Sequence, residues 1–233
     1  MKNKLIFEFS KNKTDGDSSL NNLLGGKGAN LAEMSNMKIP VPPGFTITTE
    51  VCNYFTENKK LSDNLDNEIR KAVKNLESLS DKSFGGEGTP LLLSVRSGGR
   101  VSMPGMMDSV LNIGLNDSNV FQLAEAFNDE RFALDSYRRL IQMYSNVVLG
   151  VEHERFEAVL ANKKRMDNVV SDADFNVDQL NWIINAYKNT VERFTDSLFP
   201  QDPYEQLTGA IEAVFNSWQN KRAATYRKIN NIP

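Results

Sequence analysis

The run Leu91-Leu92-Leu93-Ser94-Val95 empties directly into Arg96-Ser97-Gly98-Gly99-Arg100-Val101-Ser102-Met103-Pro104-Gly105-Met106-Met107-Asp108, and this passage constrains the fold more than any other. An apolar run without alternation leaves no face for water, so it reads as a strand buried on both sides. Such a strand is a rigid platform. Arg96 leaves it with a fixed direction, and Gly98, Gly99 and Gly105 let the following backbone approach a ligand closely and turn N–H groups toward an anion. The guanidinium adds a planar, permanently charged fork suited to phosphate oxygens. The competing reading for Arg96 is a structural ion pair at the strand end. Arg100, a loop residue, reads as solvated.

A second glycine cluster, Gly25-Gly26-Lys27-Gly28, precedes what the spacing predicts to be a helix from Gly28 to Met37. Free N–H groups and the helix dipole favour an anion there. The cluster is not a Walker loop, since position 21 is Asn and no Ser or Thr follows Lys27. Leu31 likewise breaks a dinucleotide pattern. From spacing alone, Lys27 reads better as a solvent-facing lysine at a glycine-rich helix cap than as a ligand contact.

The 233 residues, 40% hydrophobic and 24% charged, suffice for one large or two small cores. No apolar stretch approaches the length of a membrane span. Leu5, Phe7 and Phe9 alternate like an edge strand, and a secretory apolar segment would be longer and uncharged. Cys52 is alone, so no internal disulfide forms, in keeping with a reducing cytosol and a cytoplasmic location. A net charge of -3 argues against a dedicated nucleic-acid binder.

The texture changes twice along the chain. Residues 1–115 alternate short apolar runs with Gly and Pro and predict mixed α/β structure. Phe45-Thr46-Ile47-Thr48 and Ser109-Val110-Leu111-Asn112-Ile113 are further strand candidates. Residues 62–79 predict a helix with Leu65, Ile69, Val73 and Leu76 on its buried side. Residues 116–199 nearly lose this punctuation and take helical spacing, through Val120, Leu123 and Phe127, then Tyr137, Leu140, Ile141, Tyr144 and Val148, then Leu180, Ile183, Ile184, Tyr187, Val191 and Phe194. They predict an all-helical insert of about four helices. Asp202, Pro203 and Glu205 then announce a last long helix, with Tyr204, Leu207, Ile211, Val214, Phe215 and Trp218 on its buried face. The fold class is α+β: an α/β part formed by 1–115 and 200–233, with 116–199 as the insert.

Gly25-Gly26-Lys27-Gly28-Ala29-Asn30-Leu31, Ile39-Pro40-Val41-Pro42-Pro43-Gly44-Phe45 and the 91–108 passage closely resemble the N-terminal nucleotide-binding domain of the pyruvate, phosphate dikinase family. The resemblance runs from Leu24 through Trp218, Arg222-Ala223 and Tyr226-Arg227. Met-Pro-Gly-Met-Met-Asp, from Met103 to Asp108, is its most specific piece. Related phosphotransferases such as phosphoenolpyruvate synthase carry a different loop there. Gly99 and Val101 stand where alanine is usual.

The resemblance implies an ATP-grasp domain, truncated before its second half and carrying the family's helical subdomain. It matches Lys27 and Arg96 to residues that contact ATP phosphates, and so reverses the bland reading of Lys27. Gly98, Gly99, Ser102, Met103 and Gly105 would line the phosphate-covering loop, with Lys27 and Arg96 as its catalytic cations. Asp108 could assist a metal or simply make a turn. The implied reaction takes ATP, phosphate and pyruvate to AMP, pyrophosphate and phosphoenolpyruvate through a phosphohistidine. The family's histidine lies in a central domain under a Thr-Ser-His signature absent here, so His153, in Glu152-His153-Glu154-Arg155, reads as a surface helix residue. No His, Cys or paired carboxylates stand at metal-ligand spacing. Ligands for Mg²⁺ belong to the downstream half, as do much of the adenine pocket and, in further domains, the sites for phosphate and pyruvate. The chain stops at Asn231-Ile232-Pro233, where that half would begin, and reads as an inactive fragment of a parent expected to be homodimeric. The alternatives are the nucleotide domain of phosphoenolpyruvate synthase or a related dikinase, and a non-catalytic helical interaction module.

Overall fold

The structure, a computed structural model, describes residues 4–101, 103, 105 and 107–232. In chain order its elements are β1 (Ile6–Phe9), α1 (Asn21–Asn36), β2 (Gly44–Ile47), α2 (Thr49–Asn58), α3 (Asp63–Ser80), β3 (Leu93–Arg96), β4 (Ser109–Ile113), α4 (Val120–Phe127), α5 (Glu130–Val147), α6 (His153–Asp167), α7 (Val177–Thr195), α8 (Pro203–Ser217) and α9 (Lys221–Ile229). Helix dominates, and the described strands form two two-stranded sheets, β1-β2 and β3-β4. This is a mixed α and β architecture, as the patterning predicts.

The chain divides into two compact units. The first comprises Met1–Asp81, Arg96–Asp108 and Val214–Pro233. Its β1 and β2 are antiparallel, with Ile6 opposite Ile47 and Phe9 opposite Gly44. A lone two-stranded sheet is marginal in water. Helices α1 and α3 therefore pack on β1, and α1 also covers β2. On α3 the residues Leu65, Ile69, Val73 and Leu76 are all buried, as their spacing requires. Asn75 of the same helix donates to Glu8 Oε1 at 2.7 Å. The rings of Phe55 and Phe215 meet at 5.5 Å.

The second unit comprises Lys82–Val95 and Ser109–Ala213. Helix α5 packs against α4, α6, α7 and β4. Its Tyr137, Leu140, Ile141 and Tyr144 are buried, as are Leu180, Ile183, Ile184, Tyr187 and Val191 of α7. Phe156 and Tyr187 pack edge to face at 4.9 Å. The helical phase fails at two positions. Phe127 is 54% exposed and Phe194 46% exposed. Each lies at a helix end where a neighbour on the surface is available: Phe132 for the first, the guanidiniums of Arg155 and Arg193 for the second.

The division between units also differs from boundaries at 115 and 199. Segment 82–95 and β4 cluster with the helices, and the last turn of α8 with the first unit. The cause is polar as well as apolar. The buried side chain of Gln206 accepts the Gly114 N–H at 2.9 Å and donates to the carbonyls of Leu115 and Pro200 at 3.0 and 2.8 Å. Asn119 donates to the Gly114 carbonyl at 2.7 Å, and the Phe84 and Tyr204 rings lie 5.1 Å apart. These bonds occupy backbone groups that burial would otherwise leave unpaired.

Strand β3 is shorter and more open than its composition suggests. Leu93 and Val95 are half-buried, Ser94 and Arg96 are exposed, and Leu91 and Leu92 precede the strand. With β4 as its described partner, one face is left to solvent. The two-residue period of a strand then sets Arg96 on that open face.

Candidate functional site

The candidate site lies within the first unit and is organised by one backbone contact. Helix α1 is broken at Gly25, whose φ of 68° and ψ of 167° belong to a region that only glycine occupies readily. A Cβ at Gly25 would stand 1.4 Å from the Gly98 carbonyl oxygen and 2.5 Å from its carbon. The glycine is therefore what lets the turn before Lys27 touch the loop after Arg96. The next residue locks the contact, because the Gly26 N–H donates to the Gly99 carbonyl at 3.0 Å. Helix resumes at Gly26, two residues before the predicted start. Gly28 seats it on β2, where a Cβ would meet Thr46 at 2.7 Å.

Lys27 thus stands in the first turn of a helical segment, beside Gly98: a Cβ built at Gly98 would lie 4.0 Å from Lys27 Cβ. Arg96 leaves β3 two residues earlier, and Arg100 follows two residues later. Lys27, Arg96 and Arg100 are all exposed, whereas Ser97 between them is buried. None of the three cations makes an ion pair with a described residue, so the structural ion pair considered for Arg96 has no partner among the described residues. Three positive groups on two abutting glycine loops, none of them paired with an anion among the described residues, can accept a polyanion from solvent.

Beyond Arg100, Met103 is buried. Gly105 has a φ of 71° and open space around it. Ser102, Pro104 and Met106 lie outside the described residues. Asp108 is tied to the start of α9: Asn220 Nδ2 donates to its Oδ2 at 3.2 Å, and Arg222 stands 3.7 Å from Oδ1. That pairing gives Asp108 a structural role, and no group of three His, Cys, Asp or Glu side chains among the described residues could hold a metal ion. His153 is a half-exposed residue at the start of α6, 3.4 Å from Glu157 one turn on.

Sequence reading puts Trp218 on a buried helix face and gives it no part in the site. The structure leaves it half-buried, with its ring edge against Gly99. The available signal was its place just after a long amphipathic helix, where an aromatic side chain can turn away from the helix face.

The chain matches, over residues 21–84 and 64–233, the family described as the pyruvate phosphate dikinase AMP/ATP-binding domain. Among curated relatives it is 49% identical over 230 residues to pyruvate, phosphate dikinase of Rickettsia conorii. It is 46% identical over 232 residues to that of Clostridium symbiosum and 46% over 230 residues to the chloroplastic enzyme of Mesembryanthemum crystallinum. These alignments take in 98–99% of this chain and 24–26% of the relatives, so the chain spans about a quarter of their length.

Proposed function

Because the chain belongs to the pyruvate phosphate dikinase AMP/ATP-binding domain family, we propose that it forms the phosphate-binding side of an ATP cleft. In the parent enzyme, ATP, phosphate and pyruvate are converted to AMP, pyrophosphate and phosphoenolpyruvate through a phosphohistidine carried elsewhere. The observation that carries the reading is the Gly25–Gly98 contact, which sets Lys27 against the loop bearing Arg96 and Arg100, while none of the three cations is paired with a carboxylate among the described residues. Lys27 and Arg96 neutralise phosphate charge as it develops in transfer, and the backbone N–H groups of Gly98 and Gly99 would add donors beside them. Met103, Ser102 and Gly105 belong to the covering loop in this reading.

The residues present fit the polyphosphate and do not fit its Mg²⁺. Asp108 is engaged with Asn220 and Arg222, and the described residues gather no carboxylate cluster. No step is therefore assigned to a metal in this chain. Phosphate, pyruvate and a second copy of the parent would be met through residues outside it. Among the described residues no helix is long and apolar enough to cross a membrane. The match extends over both units, which supports the nucleotide-domain reading over a stand-alone helical interaction module. The shared name of the relatives supports the dikinase over phosphoenolpyruvate synthase.

The test is charge removal in the enzyme of the relatives' length carrying this chain. Lys27→Ala and Arg96→Ala should each slow ATP-dependent phosphorylation roughly 10²–10³-fold, the worth of one charged donor at a transferring phosphoryl group. Near-normal turnover in both variants would overturn the assignment. The 233-residue chain by itself should form no AMP or pyrophosphate and bind MgATP weakly, because exposed phosphate contacts are screened by salt and one side of a cleft does not exclude water. Isothermal titration beside a product assay checks this.

A further inference from the structure

We infer that Trp218 is a positioning residue for the phosphate loop: its indole braces the backbone at Gly99, and Arg227 holds the indole in place. The inference rests on the phosphate-binding reading above and assigns to it two residues far downstream of the loop they would control.

Gly99 is held from two sides. On one, its carbonyl receives the Gly26 N–H at 3.0 Å. On the other lies the six-membered ring of Trp218, so close that a Cβ at Gly99 would stand 3.1 Å from Cζ3 and 3.8 Å from Cη2. Glycine and indole fit each other there, with room for little more than hydrogen. If the indole is removed, Gly99 loses its backing, and the Arg96–Gly99 segment is left fixed to the Lys27 turn by one hydrogen bond and the Gly25 contact.

The indole is itself fixed by a single side chain acting twice. The Arg227 guanidinium carbon lies 4.2 Å from the ring centroid, and one of its terminal nitrogens donates to the Trp218 carbonyl at 2.6 Å. Stacking fixes the ring plane and the hydrogen bond fixes the backbone from which the ring projects.

The same corner, between α8 and α9, grips the far end of the loop. The Ser217 hydroxyl lies 3.9 Å from Met107 Sδ, and Asn220 and Arg222 hold Asp108. Trp218 at Gly99 and Asn220 at Asp108 thus anchor both ends of the passage that the sequence marks as phosphate-covering. Preorganisation of this kind matters because a misplacement of about 1 Å can cost on the order of 10²-fold in rate.

Two measurements test the brace. In this chain, amide exchange at Gly26 reports whether the loop stays docked; in the enzyme of full length, kcat and KM are measured for MgATP and for pyruvate. Trp218→Ala should accelerate Gly26 exchange roughly tenfold or more and lower kcat/KM for MgATP roughly 10–100-fold, leaving KM for pyruvate unchanged. Trp218→Phe, which keeps an aromatic edge, should recover to within about threefold of the parent. Arg227→Lys, which lacks the planar fork, should fall between. If Trp218→Ala does not fold, the other two variants decide, and a folded Arg227→Lys with parental exchange and parental KM for MgATP overturns the inference. Parental values for Trp218→Ala beside an impaired Lys27→Ala would refute the brace and leave the phosphate-binding reading standing. Normal MgATP kinetics in Lys27→Ala and Arg96→Ala as well would refute the reading itself.

Discussion

Gly25→Ala is the most informative single change, because its consequence can be worked out from the contact it destroys. The backbone there has φ 68° and ψ 167°, and a side chain in such a region costs of order 1–3 kcal/mol. The new methyl would also overlap the Gly98 carbonyl, 1.4 Å from its oxygen. No rotamer relieves that overlap, since both partners are backbone. One loop must move, and the Gly26–Gly99 hydrogen bond, worth about 0.5–1.5 kcal/mol net, is lost with it. The sum is roughly 2–4 kcal/mol, a large part of the ~5–15 kcal/mol that holds an ordinary domain together. Gly98→Ala is the control: its φ is not positive and its Cβ would meet Leu24, Gly28 and Lys27 at 3.5, 3.9 and 4.0 Å, which are ordinary contacts. It should stay within about 0.5 kcal/mol of the parent. Urea unfolding followed by Trp218 fluorescence in a Trp182→Phe background reads the first unit alone. Trp182 lies in the second unit and is 39% exposed, which makes it the tryptophan to replace. With a slope of about 2 kcal/mol per molar, Gly25→Ala should lower the midpoint by about 1–2 M. Equal midpoints for Gly25→Ala and Gly98→Ala would show that the glycine contact does not organise the site.

Lys27→Ala and Arg96→Ala should leave the unfolding free energy from that urea titration within about 0.5 kcal/mol of the parent, since both side chains are exposed and neither pairs with a carboxylate among the described residues; a larger loss would make them structural. Gln206→Ala strands a buried N–H and two carbonyls and should destabilise the second unit by roughly 2–4 kcal/mol, read as a lower midpoint in the helical circular dichroism signal. Burial raises the Asp15 carboxyl, but hydrogen bonds from Lys4 and the Glu8 N–H, with the charges of Lys4 and Lys13, outweigh it and hold it below its ordinary value. The stabilisation is therefore present above the unfolded pKa and lost as pH falls through the folded one, so Asp15→Asn should cost stability at pH 7 and flatten the acid loss below about pH 4. Identical pH profiles for parent and variant would remove Asp15 from that account. Burial raises Glu212, so Glu212→Gln should be neutral to stabilising at pH 7, and a clear loss would reveal a bond for its carboxylate.

Much of the local structure was legible because short-range patterns decide it. Strand β4 runs from Ser109 to Ile113 as read, α3 differs from its predicted span by a residue at either end, and Asp202 accepts the Tyr204 and Glu205 N–H groups at 2.7 and 2.9 Å to start α8. These features depend on side-chain period and capping, both properties of neighbours in the chain. The glycine clusters around Lys27 and Arg96 were legible as candidates for the same reason.

What joined them was not. Nothing within seven residues of Gly25 announces that its missing side chain makes room for the carbonyl of Gly98, or that Trp218 closes the other side of that loop. The open face of β3 is not legible either, because composition reports how apolar a strand is and not how many faces the fold covers. The apportioning of segments 82–95 and 109–115 to the helical unit was equally invisible, since Gln206 reaches back 92 residues to pair with Gly114. Backbone approaches and buried hydrogen bonds between distant segments carry no local periodicity. The chain's own order therefore determined which elements and which charged loops exist, and the tertiary structure alone decided that the turn bearing Lys27 would meet the loop after Arg96.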